Sequence, residues 1–373
     1  MTLEGLRKRA LDASLFAPTT LARAVATLGF VQADPIRSPA RAQDLILRHR
    51  VAGYGAGDLE RRFSRLRLEE DFLYAHGFMP RATLRLLQPR HDPDGLDGRH
   101  VPTGLAADVL AFVRERGPTH PRDLESAFGR QRAANNWGGF SKATTRELQT
   151  LHYYGLLRVA RRLDGIRVYE AAPPHPDPLP ADERTRSLVR LVVRILCPIS
   201  EPSLRATLTL LTRGAPDLKG MHKAVQALVK AGELECAEVD GERYLWPAGR
   251  RRRPAAETPR EVRFLAPFDP VVWDRRRFEH LWGWGYRFEA YTPAARRQFG
   301  YYAMPLLWGD DVIGWVNVAG RDQRLDVELG YAGSARRKGA SSRDFRQAFD
   351  AEVARMEEFL ATAFSAEVGT GSA

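Results

Sequence analysis

Gln32 and Asp34 stand two residues apart in the stretch Phe30-Val31-Gln32-Ala33-Asp34. On a strand, residues two apart face the same side. An amide and a carboxylate would then look one way while Val31 and Ala33 look toward the core. Such a pair can hold one water: the carboxylate takes its proton or stabilises a developing positive charge, and the amide fixes its orientation. The same residues admit a plainer reading, a solvated strand end in which Asp34-Pro35 is turn chemistry.

Other catalytic signatures are absent. There is no Gly-Lys dipeptide for a P-loop, and neither GxSxG nor HExxH occurs. The nine histidines are scattered without metal-ligand spacing. Cys197 and Cys236, the two cysteines, belong to no ligand cluster. A structural zinc site is therefore not expected, and so few cysteines suit a reducing cytoplasm. Residues 1–30 lack the apolar core of a signal peptide. The run Leu188 to Ile199 is too short, and too interrupted by Arg190 and Arg194, to cross a bilayer.

The elements that must carry the pair form a repeat. In residues 101–175 the pattern predicts helices over about 105–116, from Thr119 onward and over 142–154. Gly155 ends the third, and a hairpin turns at Asp164-Gly165. Residues 185–248 repeat the plan, with Gly232 and Asp240-Gly241 in the places of Gly155 and Asp164-Gly165. Three helices and a hairpin make a winged helix, a DNA-binding unit. Residues 1–100 read as a divergent copy. Gly29 precedes the strand with Gln32 and Asp34, and a long helical stretch from Ala40 replaces the wing. Arg250 to Arg253 form a basic linker. From 259 to 373, aromatic β-prone segments at 287–291, 301–304, 312–318 and 324–329 predict a small β-barrel or sandwich, closed by a C-terminal helix over about 342–363. The fold class expected is α+β: tandem winged helices with a C-terminal β-barrel.

Lys plus Arg number 57 against 46 Asp plus Glu, a net charge of +11. That excess points to a polyanion. Arg37, Arg41, Arg48, Arg275, Arg276 and Arg277 are the phosphate-contact candidates, by charge and by nearness to the motifs. Trp273, Tyr301 and Tyr302 read as barrel core rather than stacking platforms.

Three tracts carry a resemblance. Leu28 to Ile36 followed by Ala40 to Leu45 resembles the first motif of the YcaQ/AlkZ winged-helix DNA glycosylases, and Tyr74 to Pro80, with His76, resembles their second. The most specific are Pro267 to Arg275, Tyr286 to Ala294 and Gly300 to Leu306. The resemblance covers nearly the whole chain in order. It implies monofunctional excision of alkylated purines from double-stranded DNA, including bulky N7 adducts and, in some members, interstrand crosslinks. It implies a catalytic Gln-x-Asp pair at Gln32 and Asp34, a DNA-facing His76 and no cofactor. The chain departs from the pattern at Ala33, where a branched aliphatic is usual, and at Gly77, where Glu commonly follows His. The expectation is a monomeric, cytoplasmic, nucleoid-associated enzyme with no membrane partner. The competing function is a non-catalytic winged-helix regulator or an architectural DNA binder, neither of which needs the Gln32–Asp34 pair.

Overall fold

The computed structural model describes residues 1–373 except 93, 97, 130, 131, 135–139, 175–178, 250–259, 322, 323, 334–339 and 369–373. The predicted basic linker at 250–253 lies outside the described residues.

Thr2 and Thr20 accept from the amides of Gly5 and Arg23 and so cap α1 (Leu3–Ser14) and α2 (Leu21–Leu28). Gly29 ends α2 in the left-handed region, at φ 78°. β1 (Val31–Gln32) follows, then α3 (Ala42–Leu47), α4 (Asp58–Arg62), β2 (Leu68–Phe72), β3 (His76–Pro80) and α5 (Arg81–Leu87). The strands form an antiparallel sheet in the order β1-β3-β2, with Val31 opposite Phe78 and Gln32 opposite Gly77. Two expectations change here. The strand ends at Gln32, before Asp34. The long helical stretch is two short helices followed by a hairpin, and the inner strand of that hairpin pairs with β1. The hairpin escapes sequence reading because its outer strand, Leu-Glu-Glu-Asp-Phe, looks like solvated surface while all three acids are buried.

Next come α6 (Leu105–Arg116), α7 (Pro121–Phe128), β4 (Arg132–Ala134), β5 (Phe140–Lys142), α8 (Ala143–Tyr153), β6 (Leu157–Leu163) and β7 (Ile166–Ala171). The β6–β7 turn has Asp164 at φ 50° and Gly165 at φ 80°, the positive-φ pair that the sequence anticipates. The β4–β5 hairpin was not anticipated. After it lie α9 (Ala181–Ile195), β8 (Ile199–Ser200), α10 (Glu201–Leu211), α11 (Met221–Lys230), β9 (Leu234–Val239) and β10 (Glu242–Pro247). The last three strands pair in the order β8-β10-β9. The apolar run from Leu188 begins in α9 and continues past its end to Ile199, and its apolar side chains are buried. Among the described residues no helix is long and apolar enough to cross a membrane.

The C-terminal part holds β11 (Val262–Phe264), α12 (Pro270–Trp273), α13 (Arg275–Trp282), β12 (Met304–Trp308), β13 (Asp311–Arg321), β14 (Arg324–Tyr331) and α14 (Arg343–Val368). Its four strands pair antiparallel in chain order. Among the described residues β11 and β14 do not pair, so the sheet is open and the expected barrel is not closed. Residues 287–291 form loop and turn rather than a strand. One core cluster joins Val31, Leu45 and Phe78 to Leu148, Phe264, Met304 and Phe359, and α14 packs on β11 and β14.

Candidate active site

Gln32 ends β1, and pairing continues one residue further because the Ala33 amide donates to the His76 carbonyl at 2.9 Å. Val31 is in the core and Ala33 packs against it. Gln32 and Asp34 are half-buried. The Asp34 amide donates to Gln43 Oε1 at 3.3 Å, and Gln43 is itself buried on α3. The Asp34 carboxylate accepts from the Ile36 amide at 2.9 Å, an Asx turn around Pro35. Turn chemistry and a positioned carboxylate are therefore one arrangement.

The side chain of Gln32 is held from across the molecule. Trp273 Nε1 donates to Gln32 Oε1 at 2.7 Å. The indole can only donate, so it takes the amide oxygen and leaves Gln32 Nε2 as the donor that Trp273 does not engage. Trp273 ends α12, and its ring packs on Tyr74 with centroids 4.8 Å apart. Asp269 fixes that short helix by accepting from the Val271 amide at 3.0 Å. Asp269 is fixed in turn by a two-pronged bond from buried Arg50, at 2.8 and 3.0 Å. Sequence reasoning placed Trp273 in the core and missed this contact. The signal available was its place in the tract Pro267 to Arg275.

Burial pushes the Asp34 carboxyl above its ordinary value, against the pull of the Ile36 amide. A partly desolvated carboxylate is a better proton acceptor than one in water and acts more strongly on a nearby cation. His76 begins β3 and has an exposed face, and its ring stands edge-on to Phe72 at 5.2 Å. Desolvation by the surrounding protein, with the Arg167 charge, pushes its pKa down to about 4. His76 is therefore neutral at neutral pH. At Gly77, a Cβ would lie 2.4 Å from the Val31 carbonyl oxygen and 2.5 Å from the Phe30 ring. The departure from the family pattern at this position matches a crossing of β1 and β3 too tight for a side chain.

The remaining candidates separate by burial. Arg37 and Arg276 are exposed, and Arg276 meets Glu242 at 2.5 Å. Arg275 is half-buried, donates to the Val272 carbonyl at 2.5 Å and lies 4.7 Å over the Tyr286 ring. Arg41 is paired with Glu60, and its side chain is only 11% exposed. Arg48 bonds Glu352 at 2.7 Å with 4% of its side chain exposed. Arg277 is buried and donates to the carbonyls of Leu196, Pro198, Pro270 and Val271. The expectation that Arg48 and Arg277 face phosphate is corrected: both are internal, Arg48 against Glu352 and Arg277 against four backbone carbonyls. Among the described residues no three His, Cys, Asp or Glu side chains gather to hold a metal ion.

The model of the family "DNA glycosylase AlkZ-like" matches residues 25–359, which include β1, the Asp34 turn, α12 and β12. The chain belongs to the AlkZ-like DNA glycosylase family. It is a DNA glycosylase, a hydrolase of N-glycosidic bonds, rather than a non-catalytic regulator, and its substrate is DNA. Its fold is similar to that of Streptomyces sahachiroi DNA glycosylase AlkZ, with a TM-score of 0.60 at 14% identity over 96% of each chain.

Proposed function

We propose that this glycosylase excises bulky N7-alkylated purines from duplex DNA, and unhooks interstrand crosslinks made through such purines, without cutting the backbone. The observation that carries the reading is a half-desolvated carboxylate, Asp34, two residues along the chain from an amide whose oxygen is held by Trp273. An N7-alkylated purine already bears positive charge. When its glycosidic bond breaks, the bond's electron pair returns to the base, which leaves neutral. The sugar becomes oxocarbenium-like, and the Asp34 carboxylate stabilises it. Gln32 Nε2 donates to a water; the water gives one proton to Asp34 and its oxygen bonds to C1′. The products are free base and an abasic sugar. A bulky or crosslinked base is hard to flip into a closed pocket, and a carboxylate on a half-open turn suits it better. Within this reading, residues 1–100, 101–175 and 185–248 are winged-helix units that flank the DNA. The enzyme acts as a monomer in the reducing cytoplasm, on the nucleoid, where Cys197 and Cys236, which form no disulfide, are at home. The test is single-turnover release of N7-alkylguanine with enzyme in excess, followed by alkali to reveal abasic sites. Release of free base with an intact strand before alkali supports the reading. No release from any N7 adduct removes it.

A further inference from the structure

Two stripes run along α11. Met221, Ala224 and Leu228 are buried in the core. His222, Val225, Gln226, Val229 and Lys230 recur at the three- and four-residue spacing of a second stripe, and they line a groove outside that core. Val225 and Val229 are only half-buried. With Leu204 of α10 and Leu245 of β10 they give the groove an apolar floor. Its rim is cationic: Arg205, Lys230 and Arg243 are all exposed. A carboxylate of the chain already shows what the rim takes. Glu201 lies 3.5 Å from Arg243 and 3.7 Å from Arg205, and each of the three side chains is at least 43% exposed. Ion pairs this long and this wet hold little energy, so another carboxylate can join or replace Glu201. Arg243 and Leu245 share one face of the β9–β10 hairpin, with Glu238 and Cys236 opposite them on β9. Glu242 points to the other face, where it meets Arg276. The groove therefore opens on the side of the hairpin away from Arg276, a proposed phosphate contact.

We propose that this groove docks a short acidic segment of a protein partner, whose apolar side chains fill the floor while its carboxylates meet Arg205, Lys230 and Arg243. An apolar centre within a charged rim is the layout of a peptide site. A DNA backbone would bring charge to the rim but nothing to cover four aliphatic side chains. The cavity, about 520 Å3, has room for one or two side chains rather than a domain. The sign of the rim selects the partner, because complementary charge speeds encounter and like charge is rejected. The site is separate from the Gln32–Asp34 turn, so the partner recruits the enzyme without entering the chemistry.

The test titrates a fluorescein-labelled peptide, Gly-Asp-Asp-Phe-Asp-Leu, with the whole protein and reads anisotropy. Binding should weaken with salt. A peptide with every Asp replaced by Asn, and one with Phe and Leu replaced by Ser, should each bind at least about 10-fold more weakly, as loss of either half of a two-part contact does. The double variant Arg205→Ala with Arg243→Ala should lose affinity for the parent peptide to the same degree, while its melting temperature, its excision rate and the salt slope of its DNA binding stay as in the wild type. Glu201→Gln, which removes the competing carboxylate, should tighten the peptide. The wild type carries a second readout. Cys236 is exposed, lies opposite Leu245 and accepts from Arg243 at 3.4 Å, whereas Cys197 is buried. Bound peptide should slow alkylation of Cys236 by iodoacetamide. No binding, or equal binding of the three peptides, overturns the proposal. Binding that leaves Cys236 alkylation unchanged puts the peptide elsewhere and also overturns it. A smaller salt slope for DNA in the double variant would assign the groove to DNA instead.

Discussion

A primary amide has two faces, and in the proposed mechanism the free one decides what Gln32 can do. Trp273 fixes which face that is by occupying Gln32 Oε1. Trp273→Phe should keep the packing on Tyr74 while freeing the amide to rotate, and excision should slow by roughly 10-fold with DNA affinity unchanged. Asp34→Asn keeps shape and removes charge; single-turnover excision should fall by about 10²–10⁴-fold, the range for a positioned acid–base group. The pH dependence follows from the same carboxylate. Its pKa is raised by burial and the working form is ionised, so the rate should fall as pH drops through a value above the ordinary 3.8. His76, already neutral above about 4, should add no second limb near neutrality, and a rate profile with a limb between pH 6 and 7 would contradict this. The Gln32–Asp34 candidate comes from a strand spacing of two, although the strand ends at Gln32 and Asp34 sits in the turn that follows. Trp273 was not legible in sequence, because the contact spans 241 residues and no periodicity reports a contact at that distance.

At the scale of elements, the site depends on a strand made of acids. Glu69, Glu70 and Asp71 on β2 are all buried, and each clamps arginines from other segments. Glu69 meets Arg81 and Arg158, Glu70 meets Arg162 and Arg167, and Asp71 meets Arg90. The β6–β7 hairpin is thereby fastened to the sheet that carries β1. The two guanidiniums beside Glu70 outweigh its burial and hold its pKa at about 2, against an ordinary 4.5. A depressed carboxyl stabilises the fold above its unfolded pKa, and that contribution is lost as pH falls through the folded value. The Glu70 contribution is therefore complete above about 4.5 and drains away between there and about 2. Glu70→Gln should destabilise by about 3–5 kcal/mol at neutral pH, as removal of one partner of a buried pair does; chemical denaturation at pH 7 and pH 3 should show the gap narrowing. Gly77→Ala should also act at this scale, since its Cβ would meet the Val31 carbonyl and push β1 off β3. Excision should fall along with stability there, whereas Glu70→Gln should leave the rate per folded molecule nearly intact. Turns with forced chemistry, such as Asp164-Gly165 and Asp240-Gly241, were readable in advance because positive φ selects their residues. The β2–β3 hairpin was not, because pairing with arginines distant in sequence inverts the usual meaning of a charged strand.

For the molecule as a whole, the net charge of +11 is a poor map of where DNA sits. Several arginines contribute to that sum from the interior: Arg50 on Asp269, Arg90 on Asp71, and Arg277 on backbone carbonyls alone among the described residues. Charges that are buried and answered by protein oxygens release no counterions from DNA. Only cations that reach phosphate set the salt dependence of binding, by about 0.9 per phosphate neutralised. Arg37 and Arg276 are exposed and are the proposed phosphate contacts, Arg276 by exchanging Glu242 for phosphate. The double variant Arg37→Ala with Arg276→Ala should therefore reduce the slope of log K against log salt by about 2, without lowering the melting temperature. Arg48→Met should do the reverse. It strips a buried partner from Glu352, which also accepts from the Phe264 amide and Arg355. Stability should drop by about 3 kcal/mol while the salt slope of the folded protein stays where it was. Fluorescence anisotropy over a salt series, beside thermal melts, reads both quantities. If Arg48→Met flattens the slope and the double variant does not, the division between internal and DNA-facing arginines is wrong.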